Sequence, residues 1–175
     1  DVVNLTSQTS TISKGSSPKW QGFNYTSDGV LFVRSQNVGN GFMDFEDKVF
    51  LHPCWNNKEK RSVLKEGDVL LNLVGASIGR VSVGGKEIEM ANCNQAVAFV
   101  RLKSNTLLPL FTTEFLLTQQ GQKQIHGQKK DIARANLSLE DIRNFLIPKP
   151  GYTEQKEITE IIDAVDQKIN LHKRK

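Results

Sequence analysis

Short hydrophobic runs, separated by glycine and polar turn residues, recur through the first hundred positions of the chain. They are rich in Val, Leu and Phe, and runs of this length between turn signals predict β-strands. The runs cover residues 30–33, 48–51, 68–74, 80–83 and 95–102. By contrast, residues 4–24 are dominated by Ser, Thr, Gly, Lys and Gln, and this composition predicts a loop.

The pattern changes near Pro109, where apolar residues begin to follow a helical period that is expected to stop at Gly121. Ser138 and Asp141 have the spacing of a capping box, which predicts one short helical turn. Residues 144–147 predict a further short strand. The second part of the chain is therefore mainly helical.

The clearest boundary is Pro148-Lys149-Pro150-Gly151, which divides the chain into a domain at 1–150 and a helix at 151–175. Thr153 is the predicted cap, and acidic residues near the start and basic residues at the end complement the helix dipole. A heptad-like seam, spaced 4, 3 and 4, is formed by Ile158, Ile162, Val165 and Ile169. About two heptads predict packing on a helical partner, in another chain or in the same domain.

Composition narrows the class of protein. With 175 residues, 38% hydrophobic and 24% charged, the chain suits one domain with its own core, or a domain plus a short appendage. No apolar run approaches the roughly 20 residues that cross a bilayer, so no membrane partner is expected. The chain begins with Asp, which favours a piece of a longer protein over a processed one. Cys54 and Cys93 lie in no Cys/His cluster, so free thiols and no zinc site are expected.

The positive charge is concentrated in one region. Residues 101–150 carry 8 basic and 4 acidic side chains, which accounts for the whole net charge of +4. The excess lies mainly in Lys123, Lys129, Lys130 and Arg134. A local basic patch fits a polyanion such as DNA, but an ordinary solvated face has the same composition.

No catalytic constellation emerges from the residues. Gly75–Gly79 and Gly84-Gly85-Lys86 lack the spacing of a phosphate-binding Walker loop. Asp28 with Glu46-Asp47-Lys48 resembles the acid pair and lysine of metal-dependent nucleases, but a turn explains Asp28-Gly29 better. No Asn-Pro-Pro-Tyr or Asp-Pro-Pro-Tyr string is present, which argues against base methylation by this chain.

Polar side chains follow several of the predicted strands. Arg, Gln and Asn can make bidentate contacts with base edges, and glycine-flanked turns let the backbone approach a phosphate. The candidates are Arg34, Ser35, Gln36, Asn37, Ser77, Arg80, Asn94 and Gln95. Each alone is typical of a solvated strand end, but together they indicate a set of polar loops on an apolar sheet.

An ordered series of motifs covers nearly the whole chain. The series is Gly-Ser-Ser-Pro-Lys-Trp at 15–20, Phe-Val-Arg-Ser-Gln-Asn-Val at 32–38, Leu-Lys-Glu-Gly-Asp-Val-Leu-Leu-Asn at 64–72, Gly-Ala-Ser-Ile-Gly-Arg at 75–80, Asn-Gln-Ala at 94–96, Leu-Ile-Pro-Lys-Pro at 146–150 and Glu-Gln-Lys-Glu-Ile at 154–158. Each motif is weak alone, but their order and spacing are specific. In this respect the chain resembles a target recognition domain from the DNA-specificity subunit of type I restriction–modification enzymes.

The resemblance implies a mixed α/β fold of the α+β kind. It would have a twisted, largely antiparallel or mixed sheet, flanking helices and a long C-terminal spacer helix. Such a domain reads one half of a split site in double-stranded DNA, and its helix docks modification subunits. Those subunits hold S-adenosylmethionine and methylate adenine, while a separate motor subunit translocates and cleaves. The chain itself would have no catalytic residue, metal or cofactor, and it would act on DNA in a bacterial or archaeal cytoplasm.

Family members usually carry two such domains. The present chain would therefore be an excised half, or a half-length subunit that associates with itself through its C-terminal helix. DNA contacts are expected in the loops, which adds Lys14, Ser16, Ser17 and Lys19 to the candidates above and to the basic patch. The alternatives are a nuclease or methyltransferase fragment, and a helix-mediated protein adaptor that binds no DNA.

Overall fold

A computed structural model describes residues 1–127 and 136–173. Within these residues the strands are β1 (Val2–Asn4), β2 (Thr9–Lys14), β3 (Val30–Val33), β4 (Phe50–Leu51), β5 (Val69–Asn72), β6 (Val81–Val83), β7 (Asn92–Cys93), β8 (Val97–Leu102) and β9 (Leu146–Pro148). The α-helices are α1 (Cys54–Lys58), α2 (Pro109–Leu117), α3 (Gln119–His126), α4 (Leu139–Arg143) and α5 (Tyr152–Lys173).

The strands form three sheets of different size. The largest is antiparallel, with the order β2-β8-β5-β6. A second sheet has the order β4-β3-β7 and is mixed, because β3 runs antiparallel to β4 and parallel to β7. The terminal strands β1 and β9 form an antiparallel pair. The predicted α+β class with antiparallel and mixed sheets, flanking helices and a long C-terminal helix is confirmed.

The four-stranded sheet is buried on both faces. Val69 and Leu71 of β5 belong to the main core, together with apolar residues of α2, α3 and α4. Leu70, between them, belongs to a second core that includes Val33 of the three-stranded sheet. Successive side chains of a strand point to opposite faces, so a strand buried on both faces needs an unbroken apolar run. This explains the run that begins at Val69 and contains one polar residue, Asn72.

The strands predicted in the first hundred residues are confirmed, with equal or shorter bounds, but the loop predicted at 4–24 is wrong in part. Residues Thr9–Lys14 form β2, an edge strand paired along its length with β8. The polar composition of β2 suits an edge, because half of its surroundings are solvent, and Thr and Ile there are β-branched. The remaining part, from Gly15 onward, contains no strand up to Asn24.

The helical predictions hold with one shift. Helix α2 begins at Pro109 and ends before Thr118. The Thr118 hydroxyl caps the next helix, α3, by accepting a hydrogen bond from Gly121 N in its first turn. The stop predicted at Gly121 is therefore three residues late. The capping box at Ser138 is confirmed, since Ser138 Oγ accepts from Asp141 N and Asp141 Oδ2 accepts from Ser138 N.

The first turns of α5 are attached to the domain. The helix begins at Tyr152, one residue before the predicted cap, and Gln155 is fully buried. Gln155 Oε1 accepts from Leu108 N at 2.8 Å, and its Nε2 donates to the carbonyls of Thr106 and Pro150. The division into 1–150 and 151–175 stays a prediction. Within the described part of the chain, none of the helices is long and apolar enough to span a membrane.

Candidate nucleic-acid interface

Four polar loops meet at one end of the four-stranded sheet. In the antiparallel register Lys14 pairs with Ala98, Asn72 with Val97, and Leu71 with Val81. The end of β2, the end of β5, the start of β6 and the start of β8 therefore lie side by side. The following or preceding loops share that end of the sheet, and we call this surface the loop face. It comprises residues 14–19, 34–47, 73–80 and 94–96.

Hydrogen bonds join the loop after β3 to this surface. Asn94 N donates to Val33 O at 3.0 Å. Asn72 is fully buried at the end of β5, and its side-chain amide donates to Ser35 O at 2.8 Å. The candidates near residues 15, 35, 77 and 95, far apart in sequence, are thus brought together. Asn72 itself was missed as a positioning residue, although a polar residue inside an apolar strand is a usable signal.

Close backbone contact fixes the loop after β2. Gly15 is buried, and a Cβ atom there would overlap the carbonyl groups of Cys93 and Asn94. Gly15 N also donates to Val97 O. Only glycine leaves room for this approach. Downstream of it, Ser16 and Ser17 are half-buried, while Lys19, like Lys14 before it, is exposed.

The segment after β3 is anchored by a second loop. Arg34 Nη2 donates to Asp47 O at 2.8 Å and lies 3.0 Å from Asp47 Oδ2. Asn37 is buried, accepts a hydrogen bond from Arg34 N, and donates to the carbonyls of Asp44 and Asp47. The Asn37 amide is therefore occupied by the domain's own backbone. Its geometry is that of a residue that positions the loop, whereas Gln36 is exposed.

Asp47 was missed as a site residue. The sequence suggested it only as part of an acidic nuclease-like cluster, yet its carboxylate forms an ion pair with Arg34 and accepts a hydrogen bond from Gln36 Nε2 at 2.8 Å. It therefore lies among the predicted base-reading residues. The sequence places an acidic loop a short distance after Arg34, and this is a signal that the loop could pair with the arginine. The pairing itself depends on tertiary structure.

The glycine-flanked turn between β5 and β6 contacts α3. Gly79, with φ of 90°, presents its carbonyl to Gln122 Nε2 at 2.8 Å, and His126 Nε2 lies 3.2 Å from Gln122 Oε1. Arg80 is exposed beside this turn, and Ser77 Oγ donates to Val74 O. Lys123, on the same helix as Gln122, is exposed as well. Two predicted cationic contacts, Arg80 and Lys123, are thus carried by adjoining elements.

Lys129, Lys130 and Arg134 lie outside the described residues. The chain on either side of them is described, and both flanks meet the turn at 74–80. His126 precedes them beside Gly79, and Leu137 N, after them, donates to Leu73 O at 2.8 Å. A bridge between Val74 and Asn136 adds to this attachment.

The last pair of candidates opens β8. Gln95 is exposed, whereas Asn94 is half-buried and its Oδ1 accepts from Ala96 N at 3.0 Å. Asn94 therefore shapes its own turn, as an Asx residue commonly does, and Gln95 is the freer of the two side chains.

Metal-dependent chemistry and chemistry at the buried thiol find no support in the described residues. Among residues 1–127 and 136–173, no group of three or more His, Cys, Asp or Glu side chains could hold a metal ion. Complete burial raises the pKa of the Cys93 thiol, and the nearby Asp68 raises it further. A neutral, buried thiol is a poor nucleophile.

The predicted helical seam is divided by the structure. Ile158 packs against the main core, and Ile162 borders a small cleft lined also by Gly41 and Leu110. Val165 is 49% exposed, and Ile161, which was not predicted, is 65% exposed. The Ile169 side chain lies outside the described part. The start of the seam thus serves the domain itself, and the exposed apolar pair Ile161 and Val165 lies beyond it.

The family model for the type I restriction modification DNA specificity domain matches residues 1–175. Two curated relatives are the EcoBI specificity subunit of Escherichia coli and the MjaVIII specificity subunit of Methanocaldococcus jannaschii. They are 27% identical over 150 residues and 28% identical over 153 residues, or 82% and 86% of this chain. The chain spans 31% and 36% of these relatives, about a third of their length.

Solved structures show the same fold. The HsdS subunit from Thermoanaerobacter tengcongensis matches with a TM-score of 0.73 and 15% identity, over 99% of this chain and 44% of that one. A second match has a TM-score of 0.74 and 20% identity. It is a chain from a structure that concerns complex assembly and conformational transition of the type I R-M system. That match covers 99% of this chain and 40% of the other.

Proposed function

This chain belongs to the family of type I restriction modification DNA specificity domains, and on that premise we propose that it reads one half of a split double-stranded DNA site through the loop face. The observation on which this rests is the convergence of four sequence-distant polar loops at one end of the sheet. Loops on a rigid scaffold are the usual place for recognition residues.

The loop face divides into two kinds of contact. Phosphates would be bound by the cations that point into solvent, because such contacts need charge and reach but little fixed geometry. We assign this role to Lys14, Lys19 and Arg80 of the loop face and to Lys123 on the adjoining helix. From their charge alone we assign it also to Lys129, Lys130 and Arg134, which lie outside the described residues. Base edges need oriented polar groups, for which Gln36, Gln95 and Arg34 are suited. Ser16, Ser17, Ser35 and Ser77 would contribute shorter contacts, and Asn37 and Asn94 would hold the loops in place.

The chain would direct a larger enzyme to its DNA site and would not itself be catalytic. We place S-adenosylmethionine and adenine methylation on modification subunits, and translocation and cleavage on a motor subunit. The curated relatives, whose names describe specificity subunits of type I restriction enzymes, support the specificity role of this chain. A cytoplasmic location on DNA follows from the same role.

The outer part of α5 would supply the docking surface for those subunits or for a second copy of the chain. Its exposed apolar pair, Ile161 and Val165, lies one helical turn apart on the same side. The change of Ile161 and Val165 to Asp should abolish co-purification with a modification subunit, or self-association, without lowering the melting temperature. Glu157→Ala, at an exposed position of the same helix, is the control. Retained association in the Asp variant would exclude this surface.

Selection of bound DNA from a random duplex pool tests the function directly. The chain is used alone and together with its modification subunit, and retained duplexes are sequenced. We expect a short conserved half-site, and weaker retention as salt rises, because phosphate contacts release counterions. Retention without any conserved sequence, or no retention with either preparation, would contradict the proposal.

A further inference from the structure

One carboxylate lies among the candidate reading groups with an unused oxygen. Asp47 Oδ2 accepts from Gln36 Nε2 at 2.8 Å and pairs with Arg34 Nη2 at 3.0 Å. Asp47 Oδ1 has no partner among the described residues, and the side chain is 67% exposed. Two donors therefore fix the orientation of the carboxylate while leaving one acceptor directed at solvent.

The loop that carries this carboxylate is held independently of it. The backbone carbonyl of Asp47 accepts from Arg34 Nη2 at 2.8 Å and from Asn37 Nδ2 at 3.1 Å. Arg34 is itself mostly buried, so the donor side of the pair is the fixed side. A change of the Asp47 side chain thus removes the exposed acceptor and leaves the hydrogen bonds that position the loop.

An acidic side chain on a DNA-binding surface has a defined chemical use. It repels phosphates, so it does not contribute to the sequence-independent part of the affinity for DNA. It accepts hydrogen bonds from exocyclic amino groups, which in the major groove belong to cytosine N4 and adenine N6. Guanine O6 and thymine O4 are acceptors and would leave the carboxylate unpaired and facing like charge.

We propose that Asp47 is a specificity-determining residue, which accepts a hydrogen bond from the amino group of a cytosine or adenine and rejects the other two bases at that position. The inference rests on the proposed function, because it needs the loop face to meet DNA. Arg34 and Gln36 then act in part through Asp47, because they fix the orientation of its carboxylate. In this role they do not each contact a base independently.

The test compares Asp47→Ala with Glu66→Ala, which removes the same charge from an exposed side chain at the opposite end of the sheet, outside the loop face. Both variants and the unchanged chain, each with its modification subunit, are titrated with a duplex selected by the unchanged chain and with a scrambled duplex. Asp47→Ala should bind the selected duplex about 5- to 100-fold more weakly. It should bind the scrambled duplex as well as the unchanged chain does, or better, and Glu66→Ala should bind both duplexes as the unchanged chain does.

The outcomes distinguish a failure of the Asp47 role from a failure of the proposed function. Repeated selection with Asp47→Ala should lose the preference for cytosine or adenine at one position and keep the rest of the half-site. An unchanged half-site, or tighter binding to both duplexes, would overturn the role of Asp47 and leave the proposed function intact. If the unchanged chain does not distinguish the selected from the scrambled duplex, the proposed function itself fails. Circular dichroism melting of each variant identifies a loss that is due to unfolding.

Discussion

Two arginine–aspartate pairs, one at each end of the four-stranded sheet, differ in which partner is buried. At the loop face the Arg34 side chain is 14% exposed and Asp47 is 67% exposed. At the opposite end Arg101 is 24% exposed and Asp68 only 1%. Arg101 binds both carboxylate oxygens, through Nε at 2.8 Å and Nη2 at 2.7 Å, whereas Asp47 uses a single oxygen for its arginine.

The difference separates a structural pair from the pair that we propose for recognition. Asp68 also accepts from Lys65 N, so its carboxylate joins the turn before β5 to β8. Burial raises the pKa of Asp68, and the hydrogen bonds and charge of Arg101 oppose that shift. Asp47 is the reverse case, with an acceptor open to a ligand. Arg101 lies near the end of β8 and the loop face adjoins its start, so the two pairs lie toward opposite ends of a strand about 20 Å long.

The largest effect is expected from breaking the buried pair. Arg101→Met leaves the Asp68 carboxylate buried without its partner and also removes a donor to Val63 O. The free energy of unfolding at pH 7 should fall by about 3–5 kcal/mol. Urea unfolding measures it, and a loss below about 1 kcal/mol would show that the pair is not structural.

The same variant should become less destabilised in acid. A carboxyl whose pKa is raised in the folded state binds more protons there than in the unfolded chain, so stability falls as pH rises through the raised pKa. Removal of Arg101 takes away a hydrogen bond and a charge that hold this pKa down, while those of Lys65 remain, so the pKa rises further and the effect extends to higher pH. Urea unfolding at pH 7, 6 and 5 should show a shrinking gap to the unchanged chain. A constant gap would mean that Asp68 charge is not the cause.

At the loop face the stability change should be small. Asp47→Ala should cost less than about 1 kcal/mol, because exposed ion pairs contribute little and the Asp47 carbonyl keeps its bonds. The urea unfolding midpoint, compared with that of Arg101→Met, measures the contrast between the two pairs. A cost similar to that of Arg101→Met would mean that both pairs are structural, and the comparison would lose its meaning.

Much of the fold follows from the sequence, because its signals are local. Apolar runs between turn residues marked most strands from Val30 onward, although not β7, and Ser138 marked its helix through a capping box that closes within three residues. The polar strand β2 was not predicted, because its hydrogen-bond partner lies some ninety residues away, in β8. Edge strands of this kind are specified by pairing rather than by hydrophobicity.

The site was only partly predictable for the same reason. The polar residues after each strand could be named from sequence, since strand ends are local features. Their roles could not, because burial of Asn37 and the pairing of Arg34 with Asp47 depend on contacts between loops. The exposed position of Ile161, one step from the predicted seam, likewise depends on which side of α5 packs on the domain.

The most direct test of the central claim compares equal charge removal at the two ends of the sheet. Arg80→Ala lies on the loop face and Lys65→Ala at the opposite end, and both side chains are exposed. Binding to a mixed-sequence duplex is measured over a range of salt concentrations. Arg80→Ala should weaken binding and flatten the slope of log affinity against log salt by about 1, and Lys65→Ala should change neither. A flattened slope for Lys65→Ala with an unchanged one for Arg80→Ala would place DNA at the wrong end of the molecule and contradict the account.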